Sequence, residues 1–454
     1  MPHPTDALLN TNANLIKRSL ASVWHPCTQM KHHEVFPLVP IASAGGVWLS
    51  DVEGKRYLDA VSSWWVNLFG HANPRINAAL KDQLDRLPHT MLAGFTHEPA
   101  VQLAERLSKL TGLGHTFFAS DGASAVEIAL KMSFHYWRNV GELGKTKFVS
   151  LEGSYHGETL GALSVTDVAV FRDAYAPLLN NNLRVPFPAG TKEIGGDVAE
   201  YPCCAECADI AADQLEALLK SHSSEIAAFI VEPLVQGAAG MRMYHPAYLR
   251  RARELCAEYN VHLIADEIMT GFGRTGTMFA WEQVSTLPEM RPDFMCLSKG
   301  ITGGYLPLSC VLTTTNVYRA FYDDSSARGF LHSHSYTGSA LACRAALATL
   351  DIFIDDGIID DNRAKAERFK SIADILSRHQ RVTNFRHLGM IWAFDIKDTP
   401  DNFARRMYAA ALGHGLLIRP IGNTIYFMPP YIISDEEFAT LVHQTITALE
   451  EVLS

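Results

Sequence analysis

Short apolar runs alternate with amphipathic stretches through the middle of this chain. Residues 115–120 (HTFFAS), 147–151 (KFVSL), 226–233 (IAAFIVEP), 261–267 (VHLIADE) and 293–299 (DFMCLSK) are too short for helices and apolar on both faces. That pattern predicts buried strands, and buried strands separated by helical periodicity predict a mostly parallel sheet in an α/β domain. Upstream, alternation around D-V-E-G within residues 45–60 predicts a β-hairpin. Asn73-Pro74 opens a helix carrying residues 78–84, with proline at its start. After Asp355-Asp356-Gly357 the pattern becomes helix-rich, with strand candidates at 390–396 and 424–430. The expected organisation is an N-terminal segment (1–70) packing with a small domain, a large domain (71–335), and a smaller α+β domain (336–454).

Composition narrows the class. A chain of 454 residues with 48% hydrophobic and 19% charged residues can bury a large core. A net charge of −10 gives no reason to expect nucleic acid or an anionic membrane as partner. No apolar run approaches the ~18 residues of a membrane span. Residues 1–10 lack the basic and apolar regions of a secretion signal, so a cytoplasmic location is expected. Most of the eight cysteines stand singly in apolar contexts, as reduced buried thiols do. The exception is P-C-C-A-E-C at 202–207, which reads either as a turn in a surface insertion or as half of a zinc site lacking its second pair. No metal is expected in the chemistry.

The candidate chemistry centres on Lys299, in C-L-S-K-G-I-T-G-G-Y (296–305). A lysine amine condenses with an aldehyde only when it is neutral and held in place. Asp266 lies on a predicted strand some thirty residues earlier and is the partner expected for a protonated pyridine nitrogen. Asp266 and Ile268, two apart on that strand, are expected to share one face and to meet one flat ligand. The plain alternative is Asp266 capping or pairing with Arg274. Lysine and aspartate together point to pyridoxal 5′-phosphate (PLP). In S-D-G-A-S (120–124) an apolar strand runs into small residues and then a helix, where N–H groups of Gly122 and Ala123 can receive a phosphate. Tyr155, in G-S-Y-H-G-E-T, can stack on a heteroaromatic ring at a strand end. The hydroxyls and glycine of 333–338 make another anion-friendly helix entrance. Arg419 is a candidate clamp for a substrate carboxylate, against the commoner alternative of a surface ion pair.

Taken together, these stretches resemble the class III, or ω-, aminotransferases of PLP fold type I, from about residue 20 to the end. WHPCTQM (24–30), SSWW (62–65), EPLVQGAAGMRMYHP (232–246) and IRPIGNTIYFMPPY (418–431) are similar to the subgroup that aminates 8-amino-7-oxononanoate with S-adenosylmethionine in biotin synthesis. The resemblance implies a seven-stranded, mostly parallel sheet in the large domain. It implies that Lys299 carries the cofactor and shuttles protons, Asp266 pairs with the ring nitrogen, and Tyr155 stacks on the ring and touches substrate. Gly122 and Ala123 would hold the phosphate, with His334 and Ser335 completing that site from a neighbouring subunit of a homodimer. Trp64, Ser333 and Cys27 would line the substrate pocket, and Arg419 would bind the oxo acid's carboxylate. The chain departs from the family pattern at Ala123, where serine or threonine is common and where Ser124 is the candidate replacement. It departs again at Ser335, often threonine, and at Cys27, often tyrosine. Another ω-aminotransferase specificity (diamine, β-alanine or 4-aminobutyrate), lysine as donor, an aminomutase and a PLP-binding regulator are the remaining alternatives.

Overall fold

A computed structural model describes residues 11–36, 38–194, 197–201 and 204–454. The chain divides into two compact units. The larger comprises Arg75–Ala364 and Arg386–Ala393. The smaller comprises Met1–Pro74, Lys365–Phe385 and Phe394–Ser454. The helix Ala340–Asp355, assigned from sequence to the small domain, therefore lies in the larger unit. Its buried face is almost wholly apolar, and that face is what the larger unit's core takes up.

The larger unit is built on a seven-stranded sheet. From edge to edge its strands are His115–Ala119, Ser309–Thr313, Phe294–Leu297, His262–Asp266, Ile226–Val231, Lys147–Leu151 and Leu183–Val185. Ser309–Thr313 runs antiparallel to both its neighbours and the other pairings are parallel. Every strand expected from an apolar run is present, Lys147–Leu151 over its full length and the others trimmed. Ser309–Thr313 is an additional strand, and so is Leu183–Val185, whose three residues carry no periodicity. The helix Gly122–Asn139 lies on the sheet, with Val126 and Ala129 in one buried cluster with Ile230, Ile264, Phe294 and Val311. Burial of each larger aliphatic there stabilises the fold by ~1.5–3 kcal/mol.

In the smaller unit the expected hairpin forms as Trp48–Asp51 and Arg56–Asp59, paired antiparallel. The helix Pro74–Arg86, which belongs to the larger unit from Arg75 on, starts at its proline, as the sequence indicates. The C-terminal strand candidates appear as Ile391–Ile396 and Thr424–Phe427.

One lysine ties the amino ends of the central strands together. Lys145, 4% exposed, donates through Nζ to the carbonyls of Ser223, Ile226 and Asn260, at 2.7, 3.1 and 2.8 Å. Its stem passes over the Trp137 ring. A buried carbonyl left without a donor costs about 1–3 kcal/mol. Lys145→Met is therefore expected to lower unfolding stability by roughly 3 kcal/mol or more, measured by urea titration, while Lys145→Arg loses less.

Candidate active site

Parallel strands deliver their carboxyl ends to one edge of the sheet, the edge at which α/β folds place ligands. Asp266 is the last residue of its strand and lies opposite Cys296 of the next. Lys299 follows Cys296 by three residues, so the register alone brings the carboxylate and the amine to neighbouring strand ends. Asp266 is 4% exposed. Its Oδ1 accepts the Ile268 N–H at 3.1 Å and its Oδ2 faces His156 Nδ1 at 2.7 Å. Each carboxylate oxygen keeps a further lone pair for another donor. Asp266 thus takes a histidine partner. The strand ends at Asp266, two residues short of Ile268. Ile268 stands in the following turn, where a Cβ added to Gly122 would meet its side chain at 3.1 Å.

His156 was the histidine of an aromatic-histidine pair in the sequence, but only its neighbour Tyr155 was given a role. It is buried, and among the described residues its Nε2 has no hydrogen-bond partner. Glu232 also went unassigned, although a carboxylate directly after a buried strand and before proline signals an unusual site. It is 6% exposed, with Oε1 accepting the Tyr155 N–H and Oε2 the Gly237 N–H, both at 3.0 Å. Burial pushes its carboxyl up to about 7, with the nearby Asp266 charge adding to the rise and His156 opposing it.

Lys299 opens a short 3-10 turn, Lys299–Thr302, with φ of 47°, a left-handed value that costs a non-glycine residue about 1–3 kcal/mol. The loop is pinned on both sides, by Ser298 Oγ donating to the Leu308 carbonyl and Thr302 Oγ1 to that of Leu306. Burial lowers the lysine's pKa below the usual lysine range, against the pull of Asp266 and Glu232. A larger neutral fraction at neutral pH is what a nucleophilic or proton-accepting amine requires.

The helix Gly122–Asn139 begins at the same edge, after the strand His115–Ala119. Asp121 is its N-cap and accepts the Ser124 N–H at 2.9 Å. The N–H groups of Gly122 and Ala123 have no partner within a helix, which leaves them for an anion. The Ser124 hydroxyl donates to Asp121 at 2.8 Å, so it is engaged there rather than replacing the hydroxyl missing at Ala123. Gly157, with φ of 125°, lets the Tyr155–His156 turn close onto Ala123, since a Cβ on it would lie 2.6 Å from that of Ala123. Tyr155 packs its ring against Phe171, and its hydroxyl donates to Glu158. His334 Nε2 reaches Ser120 Oγ of its own chain at 3.2 Å, beside the helix end. The chain therefore brings its own His334 to this corner, where the resemblance implied one from a neighbouring subunit. Ser333 and Ser335 are exposed, and the Ser335 carbonyl meets His89 Nε2 at 2.8 Å.

The smaller unit presents a second group of the expected residues. Leu416–Leu417 runs parallel to Arg56–Asp59, with Leu417 opposite Asp59, so Arg419 and the S-S-W-W segment leave the same end of two adjacent strands. Ser62, Ser63, Trp64 and Trp65 all have positive φ, from 46° to 73°. A left-handed turn costs about 1–2 kcal/mol per L-residue, and Asp59 offsets part of that. Fully buried, Asp59 accepts the Ser63 N–H and hydroxyl, each at 2.9 Å, and faces His71 Nε2 at 2.9 Å. Trp65 Nε1 donates to Tyr426 OH. Trp64, 40% exposed, lies under the Arg419 guanidinium, 4.7 Å from ring centroid to Cζ. Cys27 stands exposed with φ of 55°, in the loop between Asn12–Ser22 and Met30–Glu34.

Comparison with known proteins gives this arrangement its class. Residues 29–449 match the family model described as aminotransferase class III. The chain is 46% identical over 450 residues to the adenosylmethionine-8-amino-7-oxononanoate aminotransferase of Helicobacter pylori, covering 98% of this chain and 99% of that protein. Among solved structures, the adenosylmethionine-8-amino-7-oxononanoate aminotransferase of Methanocaldococcus jannaschii superposes with a TM-score of 0.89 at 34% identity, over 97% of this chain and 100% of that one. A PLP-bound amine transaminase from an uncultivated Pseudomonas species gives 0.85 at 31% identity, over 95% of this chain and 99% of that one. The chain belongs to the class III aminotransferase family. It is a PLP-dependent aminotransferase, similar over nearly its whole length to proteins that bear the adenosylmethionine-8-amino-7-oxononanoate aminotransferase name.

Two outcomes follow from the larger unit's geometry. Gly157→Ala forces a Cβ against Ala123 at a left-handed φ, and is expected to cost more than about 1 kcal/mol in thermal unfolding and to weaken phosphate-group binding. Glu232 has its folded pKa raised from 4.5 to about 7, so its contribution is full below pH 4.5, falls as pH rises towards 7, and is level above that. Glu232→Gln should flatten the stability–pH profile across that window, as read by urea unfolding at successive pH values.

Proposed function

We propose that this chain transfers the amino group of S-adenosylmethionine to 8-amino-7-oxononanoate, giving 7,8-diaminononanoate for biotin synthesis, with PLP as cofactor. One observation carries the reading. A lysine of lowered pKa and a buried Asp–His pair stand at the carboxyl ends of adjacent parallel strands, in a chain 46% identical over its length to the H. pylori protein of that name.

The residues present fit PLP. Asp266 is a buried carboxylate with lone pairs to spare, and His156 fixes its orientation. Gly122 and Ala123 offer N–H groups at the start of an 18-residue helix. When bound, the cofactor supplies an electron-poor ring that takes up the electron pair left as the substrate carbon loses its proton. Lys299 Nζ holds the cofactor at rest, then accepts the proton from the donor's amine-bearing carbon and delivers it on the other side of the transfer. Asp266 keeps the pyridine nitrogen protonated, and a buried acid that pairs with a cation avoids the cost of an isolated charge. Tyr155, anchored through its N–H to Glu232, walls one face of the ring. Arg419 binds the oxo acid's carboxylate, with Trp64 beneath it.

We also propose that the enzyme works as a cytoplasmic homodimer. The exposed side chains Leu331 and Tyr336 flank Ser333–Ser335 in the chain, and a second copy would cover them. His334 then completes the phosphate site from within the chain, and Ser335 faces the other copy. Among the described residues no helix is long and apolar enough to cross a membrane.

The experiment is a donor–acceptor panel with purified holoenzyme: S-adenosylmethionine or lysine as donor, against 8-amino-7-oxononanoate, and 4-aminobutyrate, β-alanine and diamines as competing substrates. Turnover is expected with S-adenosylmethionine and the oxononanoate, and preference for another pair would replace the specificity. Lys299→Ala should abolish turnover. Arg419→Ala should lower kcat/KM for the oxo acid about 100-fold, the loss of ~3 kcal/mol expected for a charged hydrogen-bonded pair, with kcat less affected.

A further inference from the structure

One pair of cysteines lies outside everything transamination uses. We propose that Cys204 and Cys207 are a redox-active dithiol, oxidised reversibly to an intramolecular disulfide by small disulfides of the glutathione type.

Cys204 is the N-cap of the helix Ala205–His222, and Cys207 is its third residue. The Cys-x-x-Cys spacing therefore stacks both thiols over one helix start. Their sulfurs are 3.1 Å apart and share a hydrogen bond, and the Cys207 N–H donates to Cys204 Sγ at 3.3 Å. A disulfide bond is about 2.05 Å long, so closure needs a movement of roughly 1 Å within a single helical turn. Cys204 is exposed and Cys207 partly so, which gives a soluble disulfide access.

The surroundings also divide the labour between the two thiols. The hydrogen bond from Cys207 pulls the Cys204 thiol below its ordinary pKa, aided by the backbone N–H of Cys207, and the same bond pushes Cys207 up. Cys204 is thus the attacking thiolate and Cys207 the resolving thiol. The buried cysteines behave oppositely. Burial pushes Cys256 and Cys343 up to about 12, and Cys296 and Cys310 are raised as well. Among the described residues no group of three histidine, cysteine or acidic side chains could hold a metal ion, so the zinc reading of this stretch has no further ligands there. Its other cysteine, Cys203, lies outside the described residues. The structure also corrects the expectation of a plain surface turn, since Cys204 caps an 18-residue helix.

The chemistry balances. Cys204 thiolate attacks one sulfur of R–S–S–R, forming a Cys204–S–R bond and releasing RS⁻. Cys207 then loses its proton to solvent and attacks Cys204 Sγ, expelling the second RS⁻. Two protein thiols are oxidised, and one small disulfide is reduced to two thiols.

The test equilibrates the holoenzyme, in a Cys203→Ser background, with graded mixtures of oxidised and reduced glutathione. Each sample is quenched by alkylation and peptide-mapped by mass spectrometry. A Cys204–Cys207 cross-link lighter by two hydrogens should appear as oxidised glutathione increases and disappear on return to reduced glutathione. Adding Cys207→Ser should strand a glutathione adduct on Cys204, about tenfold more abundant than in the background chain, because the resolving thiol is gone. Both cysteines fully alkylated at every ratio, or equal adduct with and without Cys207, would overturn the proposal.

Discussion

The hydrogen bond between Asp266 and His156 is the constraint on which the larger unit's chemistry rests. A carboxylate at the closed end of a strand, 4% exposed, is tolerable only with partners. His156 supplies one at 2.7 Å and the Ile268 N–H another at 3.1 Å. That histidine is held in turn by its own N–H, which donates to Thr166 Oγ1 at 2.9 Å. Glu232 anchors the preceding residue, Tyr155. The turn carrying both rings can reach this position because Gly157 allows it to close on Ala123. Tyr155, Asp266 and the start of the helix Gly122–Asn139, the proposed ring wall, ring-nitrogen partner and phosphate site, are therefore parts of one packed corner.

Strain accompanies this arrangement in both units. Lys299 takes a left-handed φ, and so does every residue from Ser62 to Trp65. Such conformations persist where surrounding bonds over-determine them. Around Lys299 those bonds come from Ser298 and Thr302, which fix the loop to the Leu308 and Leu306 carbonyls. Around the tryptophans they come from Asp59, whose carboxylate holds Ser63 twice. Trp64 is thereby turned under Arg419, which fixes a flexible cation before any carboxylate arrives.

Much of this was legible in the sequence. Buried parallel strands announce themselves as apolar runs, so the sheet core and the strand ends bearing Asp266 and Lys299 could be placed from pattern alone. Short strands such as Leu183–Val185 could not, because three residues hold no periodicity. The partners were harder to read than the principals. His156 and Glu232 meet Asp266 and Tyr155 only through non-local packing, across more than 70 residues of chain. Ile268 was placed on a strand that in fact stops at Asp266, where that carboxylate caps the next turn. The left-handed turn at Ser62–Trp65 has no glycine to signal it, and depends on a buried Asp59 that looks in sequence like an ordinary strand end. Ser124 looked free to replace a missing hydroxyl, but local hydrogen bonding to Asp121 engages it first.

The claim at the centre of this account is that Lys299 is the residue to which the cofactor is attached. Borohydride reduction of the purified holoenzyme fixes the cofactor to the lysine that bears it, and peptide mass mapping then locates the adduct. The account predicts a single phosphopyridoxyl group on Lys299, in the peptide that follows the strand Phe294–Leu297. An adduct on any other lysine, or none on Lys299 in active enzyme, would contradict it.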